Sequence, residues 1–214
     1  MPEFRTLLDG YRRFRSDQYL AQRRRWESLA TGQEPPVMVI GCCDSRVDPA
    51  TIFDTEPGQA FILRNVANLV PPYEEGGGLH GASAAIEFAV LGLDVRHIVV
   101  LGHGACGGVA AALTGVDLGA PGHSFIDGWI SILSEARDRV LERDEAEPPL
   151  GRQRALELEG VKVSLSNLRS FPYVAEREAD GQLKLHGAWF SIAEGVLYVL
   201  DEKSGTFSAA RETE

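Results

Sequence analysis

The sequence predicts an α/β fold: a mostly parallel central β-sheet flanked by helices. Three observations predict it. Val37–Gly41, Ala60–Leu63 and Ile98–Leu101 are apolar runs of strand length that read as short buried strands. Segments with helical spacing of apolar residues lie between and after them. The C-terminal stretch LKLHGAWFSIAEGVLYVLD then reads as a pair of strands, Leu183–Ser191 and Gly195–Asp201. Short strands alternating with helices call for crossover connections, and so for a largely parallel sheet.

Taken in order, residues 1–31 read as helical. Leu7, Tyr11, Phe14, Tyr19 and Trp26 recur at roughly three-, four- and seven-residue intervals, with arginines between them. The run Arg23–Arg25 reads as a solvated or partner-facing helix side, because acidic residues are interleaved. Gln33-Glu34-Pro35-Pro36 stops the helix, and the first strand follows. A Pro57-Gly58 turn precedes the second strand. Leu79–Leu91 has helical periodicity and small residues suited to close packing. After the third strand a short helix is expected to start near Cys106. Ser124–Glu142 and Arg154–Phe171 are expected as amphipathic helices, and Gly115–Gly122 and Asp144–Gly151 as loops. No repeat or low-complexity segment divides the chain. The expected organisation is an N-terminal helical arm, residues 1–36, and a single α/β domain, residues 37–214.

Composition narrows the function classes. The chain has 214 residues, 44% hydrophobic and 24% charged, with a formal net charge of −10. That suits one globular domain with a sizeable core. The acidic balance argues against a reader of nucleic-acid phosphates, which needs a basic footprint. Three cysteines, Cys42, Cys43 and Cys106, are a poor basis for a disulfide framework, which points to a reducing compartment. The opening MPEFRTLLDGYRRFR has no apolar signal-peptide core, and no run approaches the roughly 18 apolar residues of a membrane span. The chain is expected to be soluble and cytoplasmic, with neither nucleic acid nor membrane as partner.

Two strand ends carry the chemistry: VMVIGCCDSRVDPA (37–50) and HIVVLGHGACGG (97–108). In open α/β sheets ligands bind beyond the carboxyl ends of the strands, where both motifs lie. Zinc favours Cys sulfur and His nitrogen. Side chains alternate along a strand, so Cys43 should point away from Cys42 and act in packing. Cys42, His103 and Cys106 then form a three-ligand set. Three protein ligands plus water is the catalytic pattern, and four are structural. Asp44 decides between them: it either fills the fourth place, closing the site, or is held off by a bidentate bond to Arg46. In the open form zinc would lower the pKa of a bound water, and Asp44 would accept a hydrogen bond from the resulting hydroxide and orient it. Glycines 102, 104, 107 and 108 are expected to let backbone approach the site. Gly102–Gly107 also matches G-x-G-x-x-G, but the turn-rich LTGVDLGAPGHS follows where a nucleotide fold needs a strand with an acidic end. His80, His97, His123 and His186 lack ligand-spaced partners.

Together, CCDSRVDP, PGQAFILRNVANLVPPYE, GASAAIEFAVLGL, GHGACGG and SLSNLRSFPYV resemble the β-class carbonic anhydrases, in particular the plant-type branch, from about Gln33 to Phe207. The resemblance implies a zinc (Zn2+) lyase that hydrates CO2 reversibly to bicarbonate and a proton. It implies a homo-oligomer, dimer or tetramer, whose N-terminal helices extend onto a partner subunit and whose pockets draw residues from both subunits. The family's zinc ligands fall on Cys42, His103 and Cys106, and its Asp–Arg dyad on Asp44 and Arg46. Its pocket residues fall on Gln33, Phe61, Val66, Phe88 and Gly107, an apolar wall with one amide donor. Phe88 stands where the plant branch has Tyr, Gly92 where some plant enzymes have His, and Val39 where a bicarbonate-switched branch has Trp. The same fold and ligands also serve hydrolases of carbonyl sulfide or carbon disulfide, and a non-enzymatic zinc protein would use Asp44 as a permanent fourth ligand.

Overall fold

In the computed structural model, residues 3–76, 78, 80–115, 125–142 and 151–210 are described. The chain divides into two compact units, residues 1–34 and 35–214. The first unit holds three helices, α1 (Phe4–Ser16), α2 (Gln18–Ala21) and α3 (Arg23–Leu29), where the sequence suggested continuous helix. The breaks fall at Asp17, whose angles are distorted within the helical region (φ −110°, ψ −75°), and at Gln22, which leaves it (φ −109°, ψ 24°). They let Phe14, Tyr19 and Trp26 converge, with ring centroids 5.6 to 6.2 Å apart. Leu7 and Tyr11, on the same predicted stripe, stay exposed.

The second unit is built on one six-stranded sheet. Its strands are β1 (Val37–Cys42), β2 (Ala60–Asn65), β3 (His97–His103), β4 (Lys184–Ser191), β5 (Val196–Asp201) and β6 (Thr206–Ala209). Their order is β2-β1-β3-β4-β5-β6. The first four in that order are parallel, and β5 and β6 add an antiparallel edge. Helices between strands provide the crossovers: α4 (Pro49–Ile52), α5 (Gly81–Glu87), α6 (Gly107–Thr114), α7 (Phe125–Ile130), α8 (Ser134–Glu142), α9 (Gly151–Leu168) and α10 (Pro172–Ala179). The mixed α/β fold with its mostly parallel sheet is the one the sequence predicts.

Details differ. The helix expected over 79–91 runs from Gly81, and Phe88–Gly92 form a π-helical turn; Leu79 lies outside the described residues. The helix expected over 124–142 is interrupted by a 3-10 turn at Ser131–Leu133. Ser124, His123 and, of the expected loops Gly115–Gly122 and Asp144–Gly151, residues 116–122 and 144–150 lie outside the described residues, while Gly151 begins α9. The helices α4 and α10 and strand β6 were not anticipated. β2 is half-buried along its whole length rather than a core strand, because it forms the sheet edge.

The core follows from the period of two. Met38, Ile40, Ile98 and Val100 face one side and pack with Val161, Leu165 and Leu168 of α9. Val39 and Leu101 face the other, with Ile52 and Phe53. A third cluster unites Cys42 and Cys106 with Val109, Leu133, Val140 and Leu156, at the end of the sheet where the two motifs emerge. Among the described residues no helix is long and apolar enough to cross a membrane.

Candidate metal centre

β1 ends at Cys42 and β3 at His103, and these strands are hydrogen-bonded neighbours in parallel register. Their carboxyl ends therefore deliver both side chains to one place. Beyond β3 the chain turns through Ala105, at φ 54°, and returns Cys106 to the head of α6. The ligand atoms of Cys42, His103 and Cys106 all lie within 4.8 Å of one another, and all three residues are buried. Cys43, one residue on, is exposed.

The triangle fits zinc. The two sulfurs are 4.0 Å apart, close to the roughly 3.8 Å that Zn–S bonds of about 2.3 Å subtend in a tetrahedron. His103 Nδ1 lies 2.9 Å from the carbonyl of Gly104, which places its proton there and leaves Nε2 as the lone-pair nitrogen. That Nε2 is buried without a hydrogen-bond partner, a costly state unless something binds it. Electrostatics agree. Contact with Cys106 holds the Cys42 thiol well below its ordinary pKa, and the same contact, together with burial, pushes Cys106 up. Burial pulls His103 down, but the Cys42 sulfur, the Gly104 carbonyl and the Asp44 charge together raise it above its ordinary value. The triangle thus favours one thiolate, at Cys42, beside a thiol and an imidazole.

Asp44 lies outside this triangle. Its Oδ1 accepts from the backbone N–H of Arg46 and from Arg46 Nε, both at 2.9 Å, and its Oδ2 accepts from the guanidinium at 2.6 Å. The Arg46 side chain, before all other causes, holds this carboxyl far below the usual carboxylate range. Arg46 also donates to the carbonyl of Ala105 at 2.9 Å, tying the first loop to the second.

Two anchors were missed by sequence reasoning. Arg64, at the end of β2, donates to the carbonyls of Cys42 (2.8 Å), Asp44 (2.7 Å) and Val47 (3.3 Å) and to Asp48 (3.1 Å). It holds the path of the 42–48 loop. Glu157, on α9, is 4% exposed. It accepts from the Cys106 backbone N–H at 3.0 Å, from Gln153 at 3.1 Å and from Trp189 Nε1 at 3.2 Å. Burial raises its pKa, and those three donors oppose the rise. One signal was available: Glu157, Gly160, Val161, Ser164, Leu165 and Leu168 are all buried, so Glu157 is the charged member of a helical apolar stripe.

Close approach accounts for Gly102 and Gly108. A Cβ on Gly102 would come within 2.8 Å of Val161 Cγ2, and one on Gly108 within 2.7 Å of Val66 Cγ1. Gly107 differs: a Cβ there would meet nothing within 4 Å, so packing does not demand glycine at that position. Of the other expected pocket residues, Val66 follows β2 directly and packs toward Gly108. Phe61 and Phe88 meet each other, with ring centroids 5.9 Å apart. Phe61 pairs with Met38, however, four residues before Cys42, or about 13 Å along the strand. Within one chain these rings do not flank the triangle. Gln33 is an exposed residue of the first compact unit.

Comparison with known proteins follows the same lines. Residues 37–197 match the family described as carbonic anhydrase. The chain is 36% identical over 198 residues to Beta carbonic anhydrase 3 of Arabidopsis thaliana, a match that covers 91% of this chain and 76% of that one. Its fold is similar to that of the β-carbonic anhydrase CcaA, with TM-score 0.88 and 30% identity over 97% of this chain and 92% of the other. It is also similar to one of two tetrameric β-carbonic anhydrases of the ascomycete Sordaria macrospora, with TM-score 0.81 and 31% identity over 96% and 98% of the two chains. The alternative of a carbonyl sulfide or carbon disulfide hydrolase gains no support from these relatives.

Proposed function

The chain belongs to the β-class carbonic anhydrases, and from that membership we propose how its residues divide the work of the reaction CO2 + H2O ⇌ HCO3⁻ + H⁺. The family's cofactor is zinc, and Cys42, His103 and Cys106 would hold it here. When bound, zinc supplies a Lewis acid that brings the acidity of a coordinated water toward neutrality. The observation that carries the proposal is the pairing of two features. One is a buried three-ligand triangle with an orphaned His103 Nε2. The other is an adjacent carboxylate whose two oxygens are both engaged by Arg46.

Asp44 accepts a hydrogen bond from the reacting water and turns its lone pair toward the substrate. Arg46 keeps Asp44 ionised at neutral pH, fixes its orientation and holds it back from the fourth ligand position. CO2 carries no net charge, so an apolar wall suits it; Val66, Phe61 and Phe88 are the proposed wall, Gly107 leaves open volume beside it, and the Gln33 amide is the proposed donor. Because Phe61 and Phe88 lie down the strand from their own chain's ligands, the proposed arrangement draws the pocket from two subunits of a homodimer or tetramer. Bicarbonate, once formed, is charged and leaves the apolar pocket for water, and the proton passes to buffer.

Stopped-flow hydration assays on zinc-assayed variants test this. Asp44→Asn should keep its zinc and lose at least about 10²-fold in kcat/KM, the scale of a general acid–base contribution. Cys106→Ser should lose stoichiometric zinc. Full activity in Asp44→Asn, or full zinc and full activity in Cys106→Ser, would show the assigned roles to be wrong.

A further inference from the structure

Glu157 plays no part in the chemistry above, yet it is a buried carboxylate among apolar neighbours. Burying such a group is costly unless its oxygens are bonded. The bonds around it single out one residue, Cys106. Its Oε1 accepts the backbone N–H of Cys106. Gln153, one helical turn earlier on α9, donates to the same Oε1 and also, at 3.3 Å, to the Cys106 carbonyl. The N–H and the C=O of one residue are therefore both held by a pair of side chains from one helix. Trp189 Nε1 donates to the other oxygen, Oε2, and fixes the carboxylate's orientation. The same indole lies against the strand end that carries His103, since a Cβ on Gly104 would come within 3.2 Å of it.

The residue before Cys106 explains the need for such a hold. Ala105 sits in the left-handed region at φ 54°, a conformation that non-glycine residues keep only when surrounding contacts enforce it. Arg46 holds the carbonyl of the Ala105–Cys106 peptide, Glu157 holds its N–H, and Gln153 reaches the carbonyl of the peptide that follows. Between them the turn has little freedom, and the Cys106 sulfur stands 4.0 Å from that of Cys42.

We propose that Glu157, with Gln153, is a positioning pair that presets Cys106 for zinc by clamping its backbone N–H and C=O. It acts on metal retention rather than on CO2. The proposal rests on Cys106 being a ligand, as above. Removing partners that orient metal ligands lowers metal affinity by about 10- to 100-fold. Glu157→Leu removes both acceptors and should fall in that range. Glu157→Gln keeps an acceptor for the Cys106 N–H and should lose less, and Gln153→Leu, which leaves that N–H bonded to Glu157 and the carbonyl still bonded to the Ala110 N–H, least.

The test uses the intact protein loaded with zinc or cobalt(II). Zinc transfer to a chromogenic chelator gives the rate of loss, and the thiolate-to-cobalt absorption bands report how the two sulfurs sit on the metal. Val161→Ala, in the same helix and packed on β3, is the control for simple destabilisation. The expected result is zinc loss accelerated in the order Glu157→Leu, Glu157→Gln, Gln153→Leu, with altered cobalt bands. Val161→Ala should lower thermal stability and leave both readouts unchanged. Should Glu157→Leu not fold, the two milder variants carry the same comparison. Wild-type rates and bands in Glu157→Gln and Gln153→Leu would overturn the clamp while leaving the ligand assignment standing. A wild-type protein without thiolate-to-cobalt bands would overturn both.

Discussion

The two segments that bring the cysteines together are secured by opposite means. The loop that follows β1 is tied by guanidinium groups: Arg46 grips Asp44, and Arg64 gathers the carbonyls of Cys42, Asp44 and Val47. Its charged groups are within reach of water, since Asp44 and Arg46 side chains are 15% and 49% exposed. The turn that follows β3 is tied from behind by a buried carboxylate, an amide and an indole. The first arrangement leaves an ionised carboxylate, the one proposed above to orient the reacting water. The second holds the Cys106 backbone at a fixed place. A catalytic zinc site needs both, one side for chemistry and one side for geometry.

The comparison breaks most completely at the cysteines themselves. Cys42→Ser should lose stoichiometric zinc and CO2 hydration together, whereas Cys43→Ser, whose thiol is exposed on the opposite side of the chain, should keep both; metal analysis and stopped-flow rates on the two proteins decide it. Next comes the wiring of the first loop. Arg64→Leu strips donors from three carbonyls and from Asp48 and should cost about 2 kcal/mol in urea unfolding. A change near zero would mean the guanidinium does not hold that loop. On the strand side, glycine spacing gives a sharper contrast. Gly102→Ala forces a Cβ against Val161 and should destabilise by about 1–2 kcal/mol, while Gly107→Ala should leave the thermal midpoint unchanged. Equal effects at both positions would contradict the packing described.

The smallest effect lies at the far end of β3 and β4, where His97 Nδ1 and His186 Nε2 are 3.0 Å apart. Burial first, then the charge of His97, lowers the pKa of His186 below 6.5. Below that ordinary value the unfolded chain takes up the proton more readily than the folded one, so stability rises with pH through this window and is complete above it. Between pH 8 and pH 5 the wild type should lose stability that His186→Gln does not lose, a difference of about 2 °C in Tm. Identical pH profiles would remove this pair from the accounting.

How far the sequence revealed these features follows from the physics of each. Cys42, His103, Cys106, Asp44 and Arg46 were legible because their chemistry is uncommon at strand ends and their spacing is local. The four parallel strands were legible because each is a short apolar run. β6 was not, since Thr206–Ala209 has one large apolar residue and an exposed edge position. The breaks at Asp17 and Gln22 carry neither Gly nor Pro to announce them. Arg64 could be noticed but its role could not, because its partners depend on the folded path of a loop about twenty residues earlier. Glu157 stood out only as a charge on a buried helix stripe, and Gln153 not at all, since its partner lies on another element. The Phe61–Phe88 contact depends on sheet register, which a sequence pattern does not specify across a crossover.

The measurement that bears most directly on the proposed mechanism is stopped-flow CO2 hydration by the purified protein, with zinc content determined on the same sample, from about pH 6.5 to 9, a range that brackets the acidity of zinc-bound water. With one zinc per chain, the rate should climb with pH and level off, and it should collapse in Asp44→Asn. Stoichiometric zinc with no hydration at any pH would contradict the mechanism proposed for Asp44 and the Cys42–His103–Cys106 centre.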